Sequence, residues 1–444
     1  MTALPLTLFE RYLFHEDRPA YPCWILTRSR FTGSFNREAL QRAWEFVTVR
    51  HPLLRCVVGK NWRGVPVWQP APQHRPVVQW PKTLAPSGWP DWTATDLRTT
   101  PGIHLFLHEA DGRTDLFLHA HHSLHDGAGH FAVIDDLLVH YARELGSDVA
   151  LTPFDQAAFP TRNTFGLSPW DKLKLLPLQL VGLAASLQLQ LRQPRSLNPA
   201  PSPIDEVRPA SPFPLLASRK LAPEDSDWLG HTAKLLNTGL HDLLIRDAHA
   251  AVGAWLITRP KASPLDWIYL LVPVNLRRPT DTALPAANLV GLVILARQLK
   301  ALGRRERLLQ RTNEDMRWVK RGRFGYVFHV HLWLWSFVPG GIRRRSRSRA
   351  NRTTFLFTNL GHAFATSRLT NAAGKIEVPG AVMDSVNLAP PCRPGTHAAL
   401  AAGFYAGQFW ADLQYDPQAL GPTDAEALLE SFLHQLRLSA ESVG

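Results

Sequence analysis

Histidines crowd one short stretch of this 444-residue chain. Residues 119–130 read HAHHSLHDGAGH, in which five histidines surround one aspartate and two glycines. The unperturbed pKa of histidine lies close to physiological pH, so the imidazole serves equally well as a proton shuttle and as a metal ligand. The stretch could be a metal site, a base for proton transfer or a polar loop, and the spacing has to distinguish these.

The spacing argues against a metal site. The metallohydrolase pattern HxHxDH requires an aspartate where this chain has Ser123. His121 and His125 could share one face of a helix at i and i+4, but no glutamate stands between them as in the HExxH motif. We therefore expect no metal ligand in this stretch.

Proton transfer fits the residues better. If a strand ends near His121, the chain must turn sharply, and Gly127 tolerates unusual backbone dihedral angles. The Asp126 carboxylate can hold such a turn through an arginine or through backbone amides. This arrangement would present His122 as a base at the mouth of a cleft. Structural roles are expected for the remaining histidines, His119, His125 and His130.

The hydrophobic pattern places this stretch between a strand and a helix. Residues 113–121, RTDLFLHAH, alternate polar and apolar side chains as a strand does. Downstream, apolar residues recur at helical spacing on one stripe. They are Phe131, Ile134, Leu138 and Tyr141. The motif is therefore expected at a strand-to-helix turn.

Further helices and strands are predicted on both sides of the motif. Residues 36–47, NREALQRAWEFV, have the apolar stripe of a helix with Asn36 as its N-cap, and Pro52 ends that helix. Near the C-terminus, Thr423 and Glu426 match a capping box ahead of a last helix. Strands are predicted at 266–276, 288–298, 353–361 and 408–416.

Length and composition predict a folded protein of two lobes. A chain of 444 residues exceeds the usual size of one hydrophobic core. A hydrophobic content of 45% with 15 tryptophans argues against a disordered chain. Seven prolines between residues 194 and 214 indicate an extended segment that crosses between the lobes.

The chain is strongly basic, with a formal net charge of +12 and a pI of about 9.9. That charge favours anionic partners such as phosphate-bearing carriers, acidic proteins, membrane surfaces or nucleic acid. The three cysteines stand singly, so no disulfide framework is expected and a reducing compartment fits best. The N-terminus lacks a basic region and a long apolar run, so we do not expect a signal peptide.

Two apolar stretches could reach a membrane. Residues 175–191 are uncharged but contain Pro177 and three glutamines, and they are too short and polar to span a bilayer comfortably. Residues 324–342 are rich in aromatic side chains, and arginines follow at 343–345. Such a segment suits either a membrane interface or a buried position beside a solvated basic loop.

Beyond these patterns, the chain resembles a known superfamily. HHSLHDG, residues 121–127, matches the HHxxxDG signature of nonribosomal peptide condensation domains, chloramphenicol acetyltransferase-like enzymes, polyketide-associated acyltransferases and wax ester synthase/diacylglycerol acyltransferases. RHPLLR at 50–55, PVNLRRP at 273–279 and FTNLG at 357–361 resemble three further elements of that superfamily, in the same order. The resemblance thus extends over most of the chain.

The resemblance implies an α/β fold of two chloramphenicol-acetyltransferase-like lobes. Each lobe would be a mixed sheet packed with helices, and the two would meet in a V with the active-site channel between them. We expect an N-terminal lobe over residues 1–165, an apolar and proline-rich crossing segment over 166–214 and a C-terminal lobe over 215–444. No adenylation or carrier domain follows the last helix, so a free-standing enzyme is expected.

The implied reaction is acyl transfer from a thioester to an alcohol or an amine. By carry-over from the motif, His122 is the general base and His121 its neighbour, while Asp126 holds the loop. A backbone amide near Gly127 would stabilise the oxyanion. The partner of Asp126 is expected among Arg50, Arg55 and Arg277.

Other residues of the resembling elements have two open roles. Asn359 would either line the channel or satisfy a backbone group at a strand end. For Asn275 and Arg277, a structural role between the lobes is expected in preference to substrate contact. No bound cofactor or metal is expected. The cosubstrate would be acyl-CoA or the phosphopantetheine thioester of an acyl carrier protein, and no glycine-rich phosphate loop favours coenzyme A.

Other functions stay open at this stage. The fold could serve as a catalytically idle scaffold or carrier-binding module, or the histidines could belong to a metal-dependent hydrolase. The basic run from Arg343 onward could bind phosphates, but aromatic stacking platforms beside it are not evident, so no nucleic-acid partner is expected. We expect a cytoplasmic protein of lipid or secondary-metabolite biosynthesis, with peripheral membrane contact if the apolar stretches touch lipid.

Overall fold

The computed structural model describes residues 3–198, 213–278, 281, 283–348 and 353–442. The strands are β1 (Leu4–Pro5), β2 (Trp24–Gly33), β3 (Cys56–Lys60), β4 (Pro66–Pro70), β5 (Val78–Gln79), β6 (Ile103–Ala110), β7 (Arg113–His121), β8 (Leu216–Lys220), β9 (Trp267–Asn275), β10 (Val290–Gln298), β11 (Phe355–His362), β12 (Glu377–Val378), β13 (Ala381–Ala389), β14 (Ala398–Tyr405) and β15 (Gln408–Tyr415). The helices are α1 (Leu8–Glu16), α2 (Arg37–Arg50), α3 (Gly127–Glu144), α4 (Pro169–Leu191), α5 (Pro223–Leu235), α6 (Leu240–Ile257), α7 (Leu299–Leu302), α8 (Arg305–Arg321), α9 (Val327–Ser336), α10 (Gly341–Ser346) and α11 (Pro422–Glu441).

Two six-stranded mixed sheets form the framework of the molecule. The first has the strand order β12-β13-β2-β7-β6-β5, and the second has the order β10-β9-β11-β14-β15-β8. Helices α2 and α3 pack together in the core of the first sheet, while α6 and α11 pack together in the core of the second. The predicted α/β fold of two lobes, each a mixed sheet with helices, is confirmed.

The elements around the histidine motif follow the predicted pattern. The strand predicted at 113–121 is β7, and the apolar stripe that follows it is buried on α3. The helix predicted over 36–47 is α2, and Asn36 is its N-cap as predicted, since the Asn36 side chain accepts a hydrogen bond of 3.0 Å from the Ala39 amide. The strand-to-helix turn that carries the motif is therefore encoded locally.

The predicted capping box of the last helix is wrong. Helix α11 begins one residue before Thr423, with Gly421 as its N-cap and Pro422 at the first helical position. Proline prefers that position because its ring fixes φ and it lacks the amide hydrogen that would stay unpaired there. Glu426 instead forms an ion pair with Arg219.

Two strands from the second half of the sequence belong to the first sheet. Strand β13 pairs antiparallel with β2 over Ala381–Ala389, and β12 pairs with β13. The division of the sequence at residue 214 therefore does not coincide with the division into sheets. The lobe boundaries at 165 and 215 stay a prediction, and residues 199–212 of the crossing segment lie outside the described part of the chain.

The connection between β9 and β10 also reaches across to the first lobe. Its residues Ala286, Ala287 and Leu289 belong to the hydrophobic core that contains α2 and α3. The Ala286 amide donates to Nδ1 of His51 at 2.9 Å. We call the described residues of this connection, 276–278, 281 and 283–289, the inter-lobe loop, since they join the second sheet to the helices of the first.

The two apolar stretches noted in the sequence are helical and partly exposed. Residues 175–191 form most of α4, and residues 324–342 contain α9, which packs against α4. Among the described helices, none has the length and hydropathy needed to cross a bilayer.

Candidate active site

His122 lies between the end of β7 and the start of α3, and it faces a cavity of about 200 Å³ between the lobes. Its backbone amide donates to the Cys23 carbonyl at 2.8 Å, which continues the pairing of β2 with β7. Its ring packs edge-on against Phe9, with 6.4 Å between the ring centroids. The base predicted from the motif is thus held at a cavity wall.

The ring of His122 has a defined orientation. Nδ1 lies 3.1 Å from the carbonyl oxygen of His125, and only a protonated Nδ1 can donate to that oxygen. The neutral ring therefore keeps its lone pair on Nε2. Burial lowers the pKa of His122, although Asp126 and the hydrogen bond to His125 oppose the shift. The imidazole is consequently neutral and able to accept a proton at physiological pH.

Asp126 joins the two lobes. It is the N-cap of α3, where Oδ1 accepts from the Gly129 amide at 2.9 Å. Arg277 donates two hydrogen bonds of 2.8 Å to its two carboxylate oxygens, and the Leu289 amide donates to Oδ2 at 2.8 Å. Burial would raise the pKa of Asp126, but Arg277 and these amides outweigh burial and the pKa is lowered. The carboxylate thus stays charged and ties the motif to the inter-lobe loop.

Gly127 does not adopt an unusual φ angle, and its missing Cβ atom leaves room for the Leu360 side chain. It is the first residue of α3 and is not among the residues with positive φ, contrary to our expectation from the sequence. A Cβ atom here would lie 2.7 Å from Cδ2 of Leu360. Gly127 and Ala128 line the cavity at the N-terminus of α3, where backbone amides and the helix dipole favour negative charge.

His121 points away from the cavity. The Ser123 amide donates to its Nδ1 at 3.1 Å, the Ser123 hydroxyl lies 2.7 Å from the same atom, and Asp17 is 3.8 Å from its Nε2. The ring is buried edge-on against Trp24. These contacts indicate a structural role for His121, on the side of the turn away from the cavity.

The other histidines of the motif are buried within the first lobe. Nε2 of His130 lies 2.9 Å from the Thr27 hydroxyl, and His125 packs beside His130. His119 lies among aromatic rings that include Trp92. Burial lowers the pKa of His125 to about 3, so this ring is neutral.

Three residues from the second-lobe elements border the cavity: Asn275, Arg277 and Asn359. Asn275 accepts from the Arg277 amide at 3.0 Å, and Asn359 accepts from the Gly361 amide at 2.9 Å. The Asn359 amide nitrogen lies 3.2 Å from Nδ1 of His241. Both asparagines therefore line the cavity and also satisfy local backbone groups.

The remaining two arginine candidates lie elsewhere. Arg50 donates to Asp136 at 2.8 Å and to the Thr152 carbonyl at 2.6 Å. Arg55 lines a different cavity, which it shares with Trp44. Of the three arginines proposed as partners of Asp126, Arg277 is the one that contacts it, because the inter-lobe loop brings it across 151 positions of sequence.

The sequence analysis missed several residues around His122. The Asn288 side chain donates to the His122 carbonyl at 2.8 Å from the start of a segment that was predicted as a strand. Phe9 comes from α1, which was not predicted. Arg393 forms an ion pair with Glu16 at another side of the cavity. No local motif marks these residues, since their roles come from contacts between distant segments.

Among the residues that the structure describes, no group of three or more His, Cys, Asp or Glu side chains is arranged to bind a metal ion. The three cysteines are buried and unpaired.

Solved condensation domains share the architecture of this chain. The first condensation domain of the CDA synthetase aligns over 99% of this chain and 96% of its own length, with a TM-score of 0.72 and 15% identity. The starter condensation domain of rhizomide synthetase RzmA, solved as a double mutant with C8-CoA and Leu-SNAC, aligns over 99% and 95%, with a TM-score of 0.67 and 14% identity.

A solved epimerization domain also shares this fold. The epimerization domain from the third module of tyrocidine synthetase B aligns over 99% of this chain and 98% of its own length, with a TM-score of 0.65 and 14% identity. No protein-family model matches the sequence, and no curated protein matches it either. The chain has the condensation-domain fold that the resemblance implied, and a shared fold does not by itself decide the reaction.

Proposed function

We propose that this protein is an acyltransferase that moves an acyl group from a thioester to an alcohol or an amine, with His122 as general base. One observation carries the proposal. The His122 ring has Nδ1 bound to the His125 carbonyl and lines an inter-lobe cavity beside the N-terminus of α3. A neutral base and amides aimed at developing negative charge are the two groups that acyl transfer requires.

The proposed step begins as the acceptor attacks the thioester carbonyl. The acceptor oxygen or nitrogen forms a bond to the carbonyl carbon, and its proton passes to Nε2 of His122. The carbonyl oxygen becomes an oxyanion, which the amides of Gly127 and Ala128 at the start of α3 would stabilise. Collapse of the intermediate breaks the carbon–sulfur bond, and the departing thiolate takes the proton back from His122.

Asp126 acts in this proposal as a positioning residue. Its carboxylate accepts hydrogen bonds from the Gly129 amide of α3 and from Nη1 and Nη2 of Arg277. It thereby holds the oxyanion amides and the base-bearing turn against the inter-lobe loop. His121 supports the turn from behind through Ser123.

The thioester donor is acyl-CoA or an acyl carrier protein. The solved complex of a starter condensation domain with C8-CoA and Leu-SNAC supports a thioester donor and an amine acceptor for this fold. The net charge of +12 supports a phosphate-bearing donor of either kind. No bound cofactor is needed, because the cosubstrate itself carries the reactive group.

We further propose that the protein works at a membrane surface in the reducing cytoplasm. Large apolar side chains of α4 and α9 stay exposed, including Leu187 at 58% and Trp333 at 53%, and Phe337 after α9 is 67% exposed. Arg343 and Arg344 follow on α10 and are exposed as well. Aromatic residues beside arginines are the combination that binds an anionic lipid interface.

The deciding experiment measures thiol release from acyl-CoA and from acyl-pantetheine thioesters, with pooled alcohols and amines as acceptors. We expect acceptor-dependent release, and we expect the His122→Ala variant to lose about 10²–10⁴-fold in kcat/KM without unfolding. The matched control is His231→Ala, which removes an exposed histidine of α5 and should leave the rate unchanged.

Two outcomes would contradict the proposal. Full activity of a folded His122→Ala protein would exclude His122 as the base. Release from neither donor, repeated with carrier-bound thioesters, would favour the catalytically idle scaffold.

A further inference from the structure

A second cavity adjoins the one that contains His122. It has a volume of about 420 Å³ and lies between strand β10 and the helices α4, α8 and α9. Five side chains line both cavities: Tyr12, Glu16, Leu271, Leu292 and Arg393. The two cavities are therefore adjacent at these five side chains, which we call the junction, and a ligand that passes between them could occupy both.

The walls at the junction are apolar on two sides. Leu271 of β9 and Leu292 of β10 contribute aliphatic side chains to both cavities. Phe328, which lines the second cavity, packs edge-on against Phe9 with 5.7 Å between the ring centroids. Phe9 also packs against the ring of His122, so a single aromatic ring separates the proposed base from the lining of the second cavity.

Polar side chains at the junction are already paired with one another. Arg393 contacts both Glu16 and the Tyr12 hydroxyl, and that hydroxyl donates to Glu16 at 3.2 Å. At the β10 end, Arg297 pairs with Asp315 at 2.7 Å. These two ion pairs compensate Glu16, Asp315 and two of the three arginines in the lining, the third being Arg345. Most of the remaining lining is apolar, which suits an alkyl chain.

Small residues of α4 create the space. A Cβ atom on Gly182 would lie 2.4 Å from Cγ2 of Val327, so α4 approaches the first residue of α9 closely at this point. One turn later, Ala185 and Ser186 face the cavity and leave it unfilled. The cavity is thus bounded by a helix that closely approaches its neighbour and then recedes.

We infer that the second cavity binds the alkyl chain of a lipidic substrate whose reacting group lies at His122. The inference rests on the proposed function for the reaction, and it names the substrate class. The chain could belong to the acyl group of the thioester or to a long-chain alcohol. Both have the same chemistry in the cavity, and the test distinguishes them.

Binding is measured with non-reactive probes, so that turnover is not required. One series consists of S-alkyl pantetheines with butyl, octyl and dodecyl chains, and the other of 1-butanol, 1-octanol and 1-decanol. Each methylene that enters the cavity should tighten binding about fourfold. A gain in the pantetheine series assigns the cavity to the donor chain, and a gain in the alcohol series assigns it to the acceptor chain.

The variant Ser186→Trp places a large ring in the cavity. We expect it to weaken dodecyl or decyl probes at least tenfold and to change butyl probes less than twofold. Ala184→Trp is the matched control, since Ala184 lies on the same helix, is exposed and does not line the cavity. If Ser186→Trp fails to fold, Ala185→Phe replaces it, and the chain-length series on the parent protein stands by itself.

The inference is overturned if neither series gains affinity with chain length, or if Ser186→Trp weakens short and long probes equally. Its failure can be told apart from failure of the proposed function. Chain-length-dependent binding without any thiol release would retain the cavity assignment and reject the transfer reaction. Thiol release with no dependence on chain length would do the opposite.

Discussion

At the scale of single residues, the chemistry depends on the tautomer of one imidazole. The His125 carbonyl accepts a hydrogen bond from the Nδ1–H group of His122, which leaves Nε2 as the proton acceptor. Burial then lowers the pKa of His122, which keeps the ring neutral. Orientation comes from a backbone oxygen only three residues away, so a short loop suffices to prepare the base.

The lowered pKa of His122 predicts the pH dependence of the reaction. The base must be neutral to accept a proton, so kcat/KM should rise with pH through the His122 pKa, with the midpoint of that rise below 6.5, the usual pKa of histidine. The measurement is a pH–rate profile with an alcohol acceptor, whose hydroxyl does not titrate in this range. An acidic limb centred above pH 7 would be incompatible with His122 as the base.

At the scale of elements, the site is a contact between the N-terminus of α3 and the inter-lobe loop. Asp126 caps α3 and binds Arg277 and the Leu289 amide of that loop. His51 reinforces the same loop, because it accepts from the Ala286 amide and contacts Asp136 of α3. Helix and loop are therefore held in one geometry by buried polar contacts.

This geometry predicts strong coupling between Asp126 and Arg277. Asp126→Ala removes a helix cap and leaves Arg277 without its carboxylate, so we expect a loss of about 3–5 kcal/mol in the free energy of unfolding. Arg277→Ala should also destabilise the protein, and the double variant should cost less than the sum by about 1–3 kcal/mol. Denaturant unfolding of the four proteins measures this coupling.

An exposed ion pair serves as the control for that cycle. Arg42 and Glu144 join α2 to the end of α3, with side chains 54% and 38% exposed, and their removal should change stability by less than about 1 kcal/mol.

The contribution of Asp126 to stability should depend on pH. Because the pKa of Asp126 is lowered in the folded protein, this contribution is present above the unfolded pKa near 3.9 and is lost as the pH falls through the folded pKa. If the destabilising effects of Asp126→Ala and Arg277→Ala are simply additive at pH 7, the proposed coupling between these two residues is wrong.

At the scale of the whole molecule, apolar and basic surfaces are adjacent. Helices α4 and α9 expose large apolar side chains over the second cavity, and α10 adds Arg343 and Arg344 next to them. A lipidic substrate would leave a bilayer close to the cavity that is inferred to hold its chain. The surface proposal and the cavity inference are thus compatible, although each has its own test.

The surface proposal predicts binding to anionic vesicles. Replacing Arg343 and Arg344 together by glutamine should weaken partitioning by about fivefold per arginine at low salt, with a smaller effect at 1 M salt. Replacement of Arg75 and Arg113, which are exposed on the other lobe, is the matched control. Cosedimentation with phosphatidylserine vesicles measures the effect, and failure of the parent protein to cosediment would reject the proposal.

Local pattern alone determined the elements that carry the motif. Alternation over 113–121 and the helical stripe from Phe131 to Tyr141 predicted β7 and α3, because side-chain periodicity reflects the geometry of each element. The superfamily resemblance, which rests on the motif from His121 to Gly127 and three further elements, implied the two-lobed fold and the base candidate. The capping box at Thr423 failed because a proline one residue earlier competes for the start of the same helix.

Contacts between distant segments were decided only by the tertiary structure. Nothing near Asp126 in the sequence distinguishes Arg277 from Arg50, and the inter-lobe loop alone brings the former into contact. The entry of β13 into the first sheet and the adjacency of two cavities at Leu271 and Leu292 likewise depend on packing. A periodic pattern specifies which face of an element is buried, but the partner of that face depends on how the whole chain packs.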